Sequence, residues 1–216
     1  MHSSPHRVSD VMTGAVVAVG REALFKDIVE RMEQWKVSAL PVLEGDGRVI
    51  GVVSEADLLP KEEFRDSDPD RFTQLRRLPD LAKAGAMNAE ELMSTPAVTV
   101  HSDATLAEAA RIMALRHVKR LPVVNAEGLL EGVVSRGDLL KVFLRRDNDL
   151  ANEIRRDVVD LLFPAPVEPV HITVTEGVAT LTGRVSDATR IPLAVRLVRG
   201  VEGVVDVDCR LTAADE

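Results

Sequence analysis

Two short stretches carry the same pair of polar side chains at the same spacing. Ser54 and Asp57 stand three residues apart, and so do Ser135 and Asp138. Each pair follows a Gly-Val-Val run, at the start of a predicted helix. There, a hydroxyl and the free N–H groups of the first turn suit phosphate oxygens. A carboxylate accepts hydrogen bonds and donates none, so it can receive two hydroxyls at once. The same Ser-x-x-Asp spacing also describes a helix cap, and the helix dipole alone favours Asp in the first turn. Lys119 and Arg120 are adjacent cations upstream of the second pair; the matching positions of the first are Ser38 and Ala39. The motifs of covalent or metal catalysis are missing: the chain has no Gly-rich phosphate loop, dinucleotide fingerprint or His-Glu-x-x-His. Its five histidines, at 2, 6, 101, 117 and 171, are scattered. Cys209, the single cysteine, allows no disulfide within the chain and falls on a predicted strand, where a small buried apolar role is expected. No enzymatic activity and no catalytic cofactor or metal are expected.

The elements that must position these residues come in two copies. Residues 8–59 and 89–140 align without a gap at an offset of about 81 residues. Met12 falls on Met93, Leu40-Pro41-Val42 on Leu121-Pro122-Val123, and Gly51-Val52-Val53-Ser54 on Gly132-Val133-Val134-Ser135. Each copy opens with a short β run, Val16–Val19 or Ala97–Val100. A helix follows. Its apolar positions are Phe25, Ile28, Val29 and Met32 in one copy and Leu106, Ala109, Ala110 and Met113 in the other, the spacing of one buried face. Thr105 and Glu108 suit a capping box; Leu24 and Asp27 make a weaker one. Two strands come next, Ala39–Leu43 with Val49–Val53 and Arg120–Val124 with Leu130–Val134, each pair joined by a Gly-containing hairpin loop. A last helix starts at Ser54 or Ser135. One such unit of about 50 residues buries too little surface to be stable alone. Two copies facing one another share a core, and the expected pseudo-two-fold pair creates two clefts at its seam. Residues 60–88 read as a charged linker, with Phe72, Leu75 and Leu78 suggesting a short amphipathic helix.

Composition sets wider bounds. The 216 residues are 45% hydrophobic and 29% charged, as in globular proteins with a real core. Only 3% are aromatic, which argues against the stacking platforms of single-strand nucleic-acid binders. The formal net charge of −8 supplies no broad basic face for nucleic acid. No apolar run approaches the roughly 20 residues of a membrane span, and Met1–Asp10 is polar, unlike an export signal. Cytoplasmic residence is the expectation.

The repeated Leu-Pro-Val and Gly-Val-Val-Ser-x-x-Asp-Leu-Leu segments resemble the CBS motif, and the tandem resembles a CBS pair, or Bateman module. The resemblance covers about two thirds of the chain. It implies a non-catalytic sensor of adenosyl ligands: AMP, ADP, ATP or S-adenosylmethionine. It places Asp57 and Asp138 on ribose hydroxyls, and Ser54, Ser135, Lys119 and Arg120 near phosphate. Backbone groups around Leu40 and Leu121 would read the adenine edge. Because Lys119 and Arg120 belong to the second copy, the cleft of Asp138 is expected to bind before that of Asp57.

From Leu150 the pattern changes to a predicted α-β-β-α-β unit over residues 150–213. It comprises a helix Ala151–Phe163, strands Val170–Thr175 and Val178–Thr182, a helix Asp187–Arg199 with Pro192 in its first turn, and a strand Val204–Leu211. Gly177-Val-Ala-Thr-Leu-Thr-Gly183-x-Val185 with Gly203-Val204-x-x-Val207 resembles a BON domain, a type associated with envelopes and phospholipid contact. Arg190, Arg196 and Arg199 are the side chains that could meet anionic headgroups, against the simpler reading of a solvated helix face. The expected fold class is α/β (α+β): two β-α-β-β-α repeats, 8–59 and 89–146, plus this smaller domain. The expected function is nucleotide-dependent signalling to an unnamed protein effector by a homodimer. The alternative is a dimeric scaffold with empty clefts whose BON-like part contacts lipid or protein.

Overall fold

The computed structural model describes residues 6–65 and 77–213. The chain divides into two compact units, one of residues 7–136 and the other of the N-terminal segment ending at His6 together with residues from Gly137 onward.

The first unit holds the whole first repeat and the second repeat up to its last helix. The first runs α1 (Val8–Val11), β1 (Val19–Gly20), α2 (Phe25–Trp35), β2 (Ala39–Glu44), β3 (Arg48–Ser54) and α3 (Glu55–Glu63). After α4 (Leu78–Gly85), the second runs α5 (Ala89–Leu92), β4 (Val100–His101), α6 (Leu106–Leu115), β5 (Arg120–Val124) and β6 (Leu130–Ser135). Each repeat forms a three-stranded sheet whose first pair is parallel and second antiparallel. The opening strands are two residues each, shorter than the predicted runs, because only Val19–Gly20 and Val100–His101 reach a partner strand. The hairpins turn at Gly47 and Gly128, whose φ values of 107° and 80° suit glycine.

The helical faces are narrower than the spacing suggests. Ile28 and Met32, and Leu106, Ala109 and Met113, are buried. Val29 is 41% exposed and Ala110 is exposed too. The same position drops out in both copies, since it sits at the edge of the stripe facing the sheet. Glu108 N–H donates to Thr105 Oγ1 at 3.2 Å, one half of the expected cap, whereas Leu24 gives α2 no side-chain cap. Helix α3 carries Pro60 within it and continues to Glu63, past the predicted boundary at residue 59. Of the predicted linker helix, Leu78 opens α4; Phe72 and Leu75 lie outside the described residues.

The two repeats meet through matched contacts. Thr13 bridges Val133 as Ser94 bridges Val52, and Arg7 bridges Thr105 as Asn88 bridges Leu24. Arg48 bridges Leu129, its own equivalent. At this seam each repeated glycine receives the other copy's methionine. A Cβ on Gly51 would collide with Met93, and one on Gly132 would lie 2.7 Å from Met12 Sδ. The register of Met and Gly across the repeats is therefore a packing requirement of the pair.

The second unit opens on α7 (Arg136–Leu140), which begins at the last residue of the first unit, and a 3-10 turn, Lys141–Leu144. Helix α8 (Asp147–Ile154) passes through a π-helical turn, Arg155–Val159, into α9 (Asp160–Leu162). This run starts four residues before the predicted Ala151, and Asp147 explains why: its carboxylate accepts the N–H groups of Glu176 and Gly177, each at 3.0 Å. Strands β7 (His171–Thr175) and β8 (Val178–Val185) are antiparallel, and β8 pairs in parallel with β9 (Asp206–Ala213). Helix α10 (Ile191–Arg199) has Pro192 in its first turn, as predicted. Ile154, Val158, Leu181, Ala194 and Val198 lie in its core, with Cys209 packed against them.

Candidate functional site

A cavity of about 270 Å³ opens at the seam of the first unit. One wall is the end of β3 and the start of α3, with Ser54, Glu55 and Asp57; the opposite wall is His117, Val118, Lys119 and Arg120. Ser94 and Pro96–Val98 close one side, and Ser38 with Ala39 another. This volume is at the small end of ligand cavities, which run from roughly 300 Å³ upward.

Local structure fixes each side chain. Ser54 is extended, with φ −122° and ψ 165°, and turns the chain from strand into helix. Its N–H and Oγ–H donate to Asp57 Oδ2 at 2.8 and 2.6 Å. The seam bridge, with Ser94 N–H donating to Val52 O at 2.9 Å, lays the leader of the second repeat beside β3. That brings Ser94 Oγ to 3.4 Å from Asp57 Oδ1. Lys83 of α4 forms an ion pair with the same oxygen. Across the cleft, Arg120 Nη2 donates to Ser38 Oγ at 2.7 Å, which ties the two repeats together. His117 ends its helix in a left-handed conformation, φ 55°, as Lys36 does in the first copy with φ 52°. Carboxylate on one wall and guanidinium and ammonium on the other make the cleft bipolar. A ligand with hydroxyls at one end and an anionic group at the other complements it.

The structure regroups the residues that the sequence singled out. Lys119 and Arg120 stand upstream of Ser135 and Asp138 in the chain, yet they line the cleft of Ser54 and Asp57. The pseudo-two-fold causes this. The repeats join edge to edge, so the start of one repeat's middle strand faces the helix start of the other. Ser135 ends β6, in register with Arg120. Asp138 lies in the second unit, its side chain 15% exposed and 2.7 Å from Lys141 Nζ. Leu40 and Leu121 are fully buried core residues; the strand positions that reach the cleft are Ser38 and Ala39, just before Leu40. Ser54–Asp57 does act as a capping pair, the Ser54 N–H donating to the Asp57 carboxylate. His117, Ser94 and Lys83 were not foreseen. Ser94 aligns with Thr13 directly after the repeated Met, a repeat signal that hindsight makes legible. Lys83 has no such signal, because α4 belongs to no repeat.

In the second unit, Arg190 Nε donates to Asp187 at 3.0 Å and Arg199 lies 3.7 Å from Asp206, while Arg196 is exposed. The Thr189 hydroxyl, with help from Thr189 N–H and Arg190, holds the Asp187 carboxyl below the usual carboxylate range. Among the described residues no three His, Cys, Asp or Glu side chains converge as metal ligands, and no helix is long and apolar enough to cross a membrane.

Comparison with known proteins supplies a family. A CBS-domain model matches residues 8–61 and 89–145, and a BON-domain model matches residues 146–215. The chain is 29% identical over 153 residues to the uncharacterized protein MJ1426 of Methanocaldococcus jannaschii, covering 63% of this chain and 90% of that one. It is also 29% identical over 139 residues to the chloroplastic CBS domain-containing protein CBSX2 of Arabidopsis thaliana, covering 58% of each. Among solved structures, CBSX2 in complex with AMP superposes with a TM-score of 0.57 at 28% identity, covering 64% of this chain and 97% of that one.

Proposed function

Since the chain belongs to the CBS-domain family, with a BON domain after its pair of repeats, we propose that it is a non-catalytic regulatory protein that binds an adenosine nucleotide in the cleft of Asp57, Lys119 and Arg120. The observation that carries this reading is the bipolar cleft itself, in which one repeat contributes the carboxylate and the other the cations. The AMP complex of CBSX2, a relative at 28% identity, supports the ligand class. In this reading Asp57 accepts ribose hydroxyls, Ser54 and the start of α3 with Arg120 and Lys119 meet phosphate, and backbone near Ala39 and Leu40 borders the base. By the repeat, Asp138 is the second candidate for ribose hydroxyls, Ser135 the second for phosphate, and backbone near Leu121 the second for the base. Occupancy of a seam between two repeats shifts their packing by no more than the ligand's differential affinity for the two states. The output passes to a protein effector or to the BON domain.

Calorimetry with AMP, ADP, ATP and S-adenosylmethionine tests this. Binding of at least one is expected, and Asp57→Ala should weaken it about tenfold or more, the worth of hydrogen bonds to a charged group. Asp138→Ala should leave the higher-affinity event intact. No heat and no thermal shift with any of the four ligands refutes the reading; unchanged affinity in Asp57→Ala refutes the residue assignment.

One observation favours a second reading. Both Asp57 oxygens already hold partners within the chain, as they would in an adaptor whose clefts stay empty. Trp35, Leu59 and Leu115 of the first unit are 56%, 64% and 71% exposed, and a homodimer would cover such apolar side chains. In that case Arg190, Arg196 and Arg199 of the BON domain are the contacts to test on anionic vesicles. Equal pelleting of the wild type and the triple alanine variant counts against them.

A further inference from the structure

Asp57 is the carboxylate on which nucleotide binding rests, and its hydrogen-bonding capacity is largely in use. A carboxylate offers about four lone-pair positions. Oδ2 takes the N–H and the hydroxyl of Ser54; Oδ1 takes the Lys83 ammonium, with Ser94 Oγ 3.4 Å away. Lys83 Nζ also lies 3.5 Å from Ser94 Oγ, so it sits between two side chains that line the cleft. The side chains of Asp57 and Lys83 are 11% and 21% exposed, which leaves the pair only partly screened by water.

Lys83 is held there by its helix. Helix α4 packs along α3, whose first turn holds Asp57. Lys61 Nζ donates to Ala84 O at 2.9 Å, one residue beyond Lys83. At the other end of α4, Arg77 Nη2 donates to Glu63 at 2.8 Å and stacks over Phe64, 4.9 Å from its centroid. The second repeat is different. Asp138 takes its cation from Lys141, three residues along, whose side chain is 55% exposed. The first repeat draws a counter-ion from the segment between the repeats, 26 residues further along the chain.

Building on the nucleotide reading, we propose that Lys83 is an internal competitor for the cleft: a ligand diol must take Asp57 Oδ1 from the Lys83 ammonium, and that displacement loosens α4 from the site. Helix α4 then reports occupancy. By linkage, the factor by which Lys83 weakens the ligand equals the factor by which the ligand weakens the attachment of Lys83. Removing the Lys83 charge frees Asp57 Oδ1 for the ligand.

The test uses the full chain, AMP as the probe, and Lys83→Met with Lys83→Gln as a second neutral variant. Calorimetry should show AMP binding about 2–5-fold tighter in both variants than in the wild type, the value of a partly exposed ion pair. The difference should shrink in 0.5 M salt. Hydrogen exchange of the Leu78–Gly85 amides in the wild type should accelerate when AMP is added. Equal or weaker binding in both variants, with the wild type binding AMP, overturns the competitor role and leaves the nucleotide reading standing. Unchanged or slower exchange in α4 overturns the reporting role. An absence of AMP binding in the wild type and in both variants refutes the nucleotide reading, and this proposal with it.

Discussion

The glycines at the seam give a prediction whose size follows from the atoms around them. Alanine at Gly51 would place its Cβ against Met93, 2.8 Å from Cγ and 3.0 Å from the Met93 Cβ. Rotating the methionine removes its sulfur from the clash but not its own Cβ. Alanine at Gly132 would meet Met12 Sδ at 2.7 Å and the carbonyl oxygen of Thr13 at 3.0 Å, and that oxygen is fixed because it accepts the Val133 N–H. Overpacking of this kind costs about 1–3 kcal/mol, and restricting the unfolded chain returns about 0.4–1 kcal/mol. The net loss should be about 1 kcal/mol for Gly51→Ala and about 2 kcal/mol for Gly132→Ala, or roughly 2–4 °C in Tm per kcal/mol for a chain of this length. Urea unfolding followed by Trp35, the single tryptophan and a residue of the first unit, reads it directly. Double-mutant cycles separate the causes. Met93→Ala should relieve only part of the cost of Gly51→Ala, because the Cβ at 93 remains 3.0 Å away, and Met12→Ala only part of that of Gly132→Ala, because Thr13 O remains. The reasoning fails if both alanine variants unfold within 0.5 kcal/mol of the wild type, or if Met12→Ala restores Gly132→Ala completely. Met93 also precedes Ser94, so displacing it moves a wall of the cleft.

Arg120→Ala should weaken AMP by about tenfold or more and leave adenosine nearly unchanged, since the guanidinium is assigned to phosphate; comparing the two ligands by calorimetry separates this from a general loss of the cleft, and equal loss for both refutes the assignment. Asp187 supplies a pH dependence in the BON domain. Its carboxyl is held low by Thr189 and then Arg190 in the folded protein, so the stability it contributes is complete above the unfolded value of about 3.9 and is lost as pH falls through the folded value. Tm measured from pH 6 down to pH 2.5 should therefore fall less steeply at the acid end in Asp187→Asn than in the wild type, and parallel profiles would contradict the stabilising role of the Thr189 and Arg190 contacts.

The repeat was legible because tandem symmetry keeps unlike residues in register. Pro41 with Pro122, Gly51 with Gly132 and Asp57 with Asp138 cannot align through apolar patterning alone. The BON-domain order was legible for a simpler reason: its strands alternate and its turns carry glycine. Local pattern failed where tertiary edges decide. Val29 belongs to the apolar spacing of its helix and is exposed, and α3 runs through Pro60, past the boundary expected at residue 59. The start of α8 depended on Asp147 reaching a hairpin about 30 residues away.

The sequence by itself determined that two equivalent helix starts each carry a serine and an aspartate, and that one pair of cations has no counterpart in the first copy. Sequence order set those cations beside Asp138. Only the tertiary structure set them opposite Asp57, because repeats that join across a pseudo-two-fold seam exchange their walls. It also decided that Asp57 would already hold a cation. Lys83 lies outside both repeats, and no periodicity could bring it there; the packing of α4 along α3 does.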